Sequence, residues 1–148
     1  MIETIDTLIE KYPKIFEDYE GNPGRVNWDC PKGWLHILDW LCGALQSYID
    51  NTEMHDNDHQ GGYHPPQIRC MQVQEKYADL RFYTDGYTDV QDGMIRFAEY
   101  LASITCQNRG SMEEASFVND HGWYSILCKK CQIKNIPEPT TPPPDKNH

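Results

Sequence analysis

Cys128-Lys129-Lys130-Cys131 is the segment whose residue types and spacing most directly specify chemistry. A Cys-x2-Cys turn lets two thiolates grip one ion while backbone amides face the sulfurs, and zinc takes such ligands tetrahedrally. A closed site needs a second pair, and Cys106 stands upstream in Cys106-Gln107-Asn108-Arg109-Gly110. Three residues after Cys106 the chain carries Arg109, whose guanidinium has no lone pair to offer a metal. That leaves three sulfurs, and His121, in Asp120-His121-Gly122-Trp123, is the candidate fourth ligand. One reading places zinc on Cys106, Cys128, Cys131 and His121. The alternative is a metal-free segment whose cysteines pack as small hydrophobes.

Other constellations are weaker. His55, His59 and His64, mixed with Asp56 and Asp58, have the donors for a second metal or small-molecule site. Asn51, Gly61-Gly62 and Pro65-Pro66 make that stretch a polar loop instead. Glu75, Lys76 and Arg81 flank a turn, where such charges form surface pairs worth under ~1 kcal/mol each. No G-x-S-x-G, phosphate-binding loop or dinucleotide fingerprint occurs, so the reading is of a non-enzyme.

The elements that must position these residues follow from periodicity. Ile2, Ile5, Leu8, Ile9 and Tyr12 have helical spacing up to Pro13, and Ile15, Phe16 and Tyr19 continue as a second short turn. Gly21-Asn22-Pro23-Gly24 reads as loop. The strongest helix follows, with Asp29 or Cys30 as cap and Pro31 in its first turn. Its core stripe is Trp34, Ile37, Leu38, Leu41, Cys42, Leu45, Tyr48 and Ile49. His36 and Trp40 lie on the opposite side. Either the N-terminal segment covers Trp40, or Trp40 and His36 belong to a partner-binding surface.

Residues 67–74 and 80–83 read as strands around a turn near Tyr77-Ala78-Asp79. Thr88-x-x-Gln91 is a capping box opening a helix with the stripe Val90, Met94, Phe97, Ala98, Leu101 and Ala102. Phe117-Val118 and Trp123–Leu127 form a small hairpin before Cys128. The class is therefore α+β: a single small domain over 1–136 with two main amphipathic helices and a β-hairpin. Residues 106–131 are its zinc-knuckle-like segment, and the proline-rich stretch 137–148 is a tail that can form neither helix nor sheet.

At 148 residues the chain can bury one real core. It carries 23 acidic against 13 basic residues, a net charge of −10. That field repels a phosphate backbone, which disfavours direct nucleic-acid binding and suits a partner with a basic surface. No apolar run reaches the ~18 residues of a membrane span, and the N-terminus lacks a signal-peptide pattern. The expected compartment is the cytoplasm, where six cysteines stay reduced.

Several strings together resemble a family of small bacteriophage and prophage proteins. They are Cys30-Pro31-Lys32-Gly33-Trp34, the run from Gln72 through Glu75-Lys76-Tyr77 to Leu80-Arg81-Phe82-Tyr83, Ala98-Glu99 in a helix running to Cys106, and Gly122-Trp123 leading to Cys128. The resemblance spans roughly residues 10–131. It implies a treble-clef or zinc-ribbon knuckle in which Cys106, Cys128 and Cys131 match ligands and Arg109 occupies the place of one. Ala78-Asp79 likewise stands where the family has Gly-Gly. The function it implies is docking, in the host cytoplasm, on a host protein or complex, with inhibition of a defence or nucleic-acid-processing assembly. The alternatives are a zinc-stabilised nucleic-acid accessory protein, or a small-molecule-binding protein or enzyme using the histidine loop.

Overall fold

The computed structural model describes residues 2–22, 27–55 and 62–135. Thr4 starts the fold: its side-chain oxygen accepts from the Thr7 backbone N–H and caps α1 (Ile5–Lys11). Pro13 ends that helix and, tolerated in a first turn, begins α2 (Pro13–Phe16). Leu8, Ile15 and Phe16 from this pair are buried. The Tyr12 hydroxyl donates to Asp39 Oδ1 at 2.6 Å and Lys11 Nζ reaches the same carboxylate at 2.9 Å, which ties the segment to the long helix.

β1 (Asn27–Asp29) follows, a strand too short to show any alternation in sequence. Neither Asp29 nor Cys30 caps the long helix as expected. Lys32–Trp34 forms a 3-10 turn headed by Pro31, and α3 (Leu35–Asn51) begins after it with no side-chain cap. Its start is tied instead to a distant loop: the Gly33 N–H donates to the Gln107 carbonyl at 2.8 Å. α3 buries Leu35, Ile37, Leu38, Leu41, Cys42, Leu45 and Ile49, close to the expected stripe.

β2 (Cys70–Lys76) and β3 (Asp79–Thr84) form the central antiparallel hairpin, and β1 runs parallel to β2 on its other edge. Val73, Leu80 and Phe82 point from it into the core. α4 (Asp89–Ser103) has the expected capping box, with Thr88 and Gln91 bonding reciprocally. Its inward face differs from the expected stripe. Gln91, Ile95, Ala98 and Ala102 are buried, while Val90 and Phe97 face outward. Gln91 sets this rotation, because its amide also donates to the Pro66 carbonyl at 3.1 Å and so belongs inside.

The chain closes with β4 (Ser116–Asp120), β5 (Trp123–Leu127) and α5 (Lys129–Asn135), a helix the sequence reading did not anticipate. A large core joins α1 through α4 and the three-stranded sheet, and Ile126 is the buried residue of the terminal hairpin that enters it. A second, small cluster holds Cys106, Leu127, Cys128 and Cys131, with Ala115 and Val118 against it. The whole is a small α+β domain with a zinc-ribbon-like C-terminal module. No helix among the described residues is long and apolar enough to cross a membrane.

Candidate metal centre

The module is built from a turn, a hairpin and a helix start. After α4 the chain turns back on itself: the Gly110 N–H donates to the Cys106 carbonyl at 2.9 Å, and the Cys106 N–H to the Ser111 carbonyl at 2.8 Å. Gly110 takes φ +71, which a glycine adopts without strain. Gln107 fastens this turn to the hairpin. Its N–H donates to the Ile126 carbonyl at 2.9 Å, and its side-chain oxygen accepts from the Ile126 N–H at 2.7 Å. Gln132 in α5 donates to the Leu127 carbonyl at 2.6 Å and to Ser116 Oγ at 3.0 Å. Cys128 therefore sits just before α5 and Cys131 within its first turn.

These ties bring three sulfurs together. The ligand atoms of Cys106, Cys128 and Cys131 all lie within 4.8 Å of one another, and all three residues are buried. They form the group of three or more potential ligands found among the described residues. The three thiols therefore adjoin one another. The Cys131 backbone N–H at the Cys128 sulfur, aided by the neighbouring thiols and the Arg109 guanidinium, draws the Cys128 thiol down to about 7. Burial, then the adjoining thiols, push Cys131 up to about 11. Such a cluster has the donors to hold a metal ion.

Arg109, three residues after Cys106, lines a cleft together with Cys128, so its guanidinium stands beside the cluster. His121 is not brought to the cluster. Ser116↔Leu127 pairs at the base of the hairpin and Asp120↔Trp123 at its tip, with His121 and Gly122 as the two turn residues. Both have positive φ, 51° and 86°, the geometry of a two-residue hairpin turn that matches strand twist. The turn lies about 17 Å of strand from the base. The His121 ring is 97 % exposed and pairs with Asp120 at 2.7 Å.

The remaining sequence candidates fall elsewhere. His36 and Trp40 meet edge to face, ring centroids 4.9 Å apart, on the outer side of α3. The N-terminal helices dock on α3 beside Trp40 without covering it, and it stays 56 % exposed. His36 lines a cleft with Lys32, Asn108 and Arg109 next to the Cys106 turn. Its partial burial lowers its pKa, offset in part by a hydrogen bond to the Gly33 backbone. His59, Asp56 and Asp58 lie outside the described residues. His55 is 3.9 Å from Glu53, and His64 Nδ1 is 3.0 Å from the Thr52 carbonyl.

One surface went unread in the sequence. In the β4–β5 register, Phe117 opposes Ile126 and Asn119 opposes Tyr124, so Phe117 and Tyr124 share a face. Their rings lie 5.2 Å apart, and Tyr77 from the β2–β3 turn reaches Tyr124 at 6.1 Å. Tyr77 and Phe117 are 70 % and 56 % exposed. Trp123, on the other face near the tip, is 76 % exposed. The signal was available: a Phe-Val/Trp-Tyr hairpin whose aromatic content exceeds what so small a second core can bury.

Comparison with known proteins returns no matching family model, no matching curated protein and no matching solved structure.

Proposed function

We propose that this chain is a phage-type interaction protein that docks on a host protein or complex through its terminal hairpin, with zinc bound at Cys106, Cys128 and Cys131 as the structural staple. The observation that carries the reading is the aromatic content left exposed by the hairpins, Tyr77 and Phe117 around the half-buried Tyr124 on one face and Trp123 on the other. Exposed aromatic anchors concentrate binding energy at protein interfaces. Tyr77 and Ala78 support it further: both hold positive φ, 52° and 69°, without being glycine. The two-residue turn between Lys76 and Asp79 requires that geometry, and Tyr77 holds it at a cost of about 1–2 kcal/mol with its ring exposed.

Zinc is favoured by the chemistry of the donors. Thiolates at a Zn–S distance of about 2.3 Å in tetrahedral geometry lie about 3.8 Å apart, which the present separation of at most 4.8 Å reaches with a small contraction. A two-stranded hairpin is marginal alone, and a four-residue second core gives it little. A metal clip supplies what that core lacks. The charge of −10 suits a basic partner surface and opposes direct nucleic-acid binding.

The test is affinity isolation from host lysate with the wild-type chain, a Phe117→Ser/Trp123→Ser variant and a Phe97→Ser control. The expected result is one stoichiometric partner, retained by the control and weakened about tenfold or more by the double variant. Equal capture by all three chains, or no partner at all, removes the reading.

A further inference from the structure

The geometry points to a zinc centre of three protein sulfurs whose fourth position is kept by Arg109 for a small exogenous donor, water in the free protein. The inference rests on the zinc reading above and goes beyond it in coordination and access. Three observations carry it. The metal-ligand group among the described residues stops at Cys106, Cys128 and Cys131. His121, the residue that would close it, is spent in a turn at the far end of the hairpin. And Arg109 lines the same cleft as Cys128, which places a guanidinium beside the cluster where it offers no donor to a metal.

Charge explains why an arginine belongs there. A zinc dication with three thiolates is a buried monoanion, costly in a low-dielectric setting unless a cation is at hand. One guanidinium brings the group to neutrality with a neutral fourth ligand. A fourth thiolate in place of Arg109 would both remove that cation and add a negative charge. Structural zinc sites are closed by four protein ligands, whereas three protein ligands leave a position for solvent or a substrate-like donor.

Access is also present. A cleft of about 170 Å³ lined by Arg109, Ser111, Glu113 and Lys130 reaches the cluster at Cys128. By that measure a water needs only about 10–15 Å³, so water and donors the size of imidazole or a small thiol can enter. Lys129 and Glu114, which also line this cleft, pair with each other at 3.8 Å.

X-ray absorption on the zinc-loaded full chain decides the matter. The wild type is expected to show three sulfurs near 2.3 Å and one oxygen or nitrogen near about 2.0–2.2 Å. His121→Ala is expected to leave that shell unchanged. Arg109→Cys is expected to convert it to four sulfurs and to hold zinc about tenfold or more tightly in chelator competition. Four sulfurs in the wild type, or loss of the light-atom shell in His121→Ala, overturns the open position while leaving zinc in place. A chain that takes up no zinc removes the zinc reading itself, and the two failures are distinct. Should Arg109→Cys not fold, the wild-type and His121→Ala spectra still decide.

Discussion

A methyl group on Gly33 would lie 2.3 Å from the Cys106 carbonyl oxygen and 2.4 Å from that of Gln107, both backbone atoms with no room to rotate away. The 3-10 turn before α3 and the Cys106 turn touch backbone to backbone there, held by the Gly33 N–H on Gln107. Gly33→Ala is expected to cost about 1–3 kcal/mol by urea unfolding and to weaken metal binding, because the displaced turn carries Cys106. The next residue, Trp34, is fully buried and its indole N–H donates to the Thr105 carbonyl at 2.9 Å. These contacts cross more than seventy residues of chain, so Cys30-Pro31-Lys32-Gly33-Trp34 could be recognised as a pattern but not given its physical reason. His36 adds a pH dependence. Burial lowers its folded-state pKa, so the neutral ring is preferred in the fold. The penalty is absent above the unfolded value of about 6.5 and grows as pH falls through it toward the folded pKa. His36→Gln is expected to flatten that part of the stability-versus-pH curve, measured as urea midpoints across the range. An unchanged slope would show that His36 does not set it.

At the scale of elements, the two hairpin turns divide the work of the domain. The Asp120-His121-Gly122-Trp123 turn uses a glycine at its second central position, while the β2–β3 turn places Tyr77 and Ala78 in the left-handed region. Ala78 is buried, and its N–H is held by Glu75 Oε1 at 2.7 Å. Tyr77 is exposed and gives the turn nothing but a ring beside Tyr124. Tyr77→Gly is therefore expected to raise stability by up to about 1 kcal/mol while weakening partner capture; a loss of both would mean that the ring serves the fold. The helices were legible because their signals are local: the Thr88–Gln91 capping box reads from four residues, and the α3 stripe from a period. The α4 face was misread because Gln91 scores as polar yet is buried by its bonds to Thr88 and Pro66. β1 was missed for shortness, and α5 because seven residues of sequence Lys-Lys-Cys-Gln-Ile-Lys-Asn carry too few apolar positions to show a helical period.

The whole molecule has one large core and one small one, and they differ in what sustains them. The large core collects apolar residues from α1 through α4 and the three-stranded sheet. The small one has three thiols and Leu127. Cysteine spacing alone indicated which sulfurs would meet, since Cys128 and Cys131 share a turn and Cys106 is the upstream thiol nearest the hairpin. It could not place His121, whose fate depends on hairpin register, nor reveal that Phe117 and Trp123 of β4 and β5 stay outside. With zinc as the clip, chelation should loosen residues 106–131 and leave the large core folded. The direct measurement is zinc per chain in protein purified without added metal, wild type beside Cys128→Ser. About one zinc per wild-type chain, with its near-complete loss in Cys128→Ser while the helical signal persists, is the predicted result. A wild-type chain without zinc that also fails to take it up on addition would contradict the account.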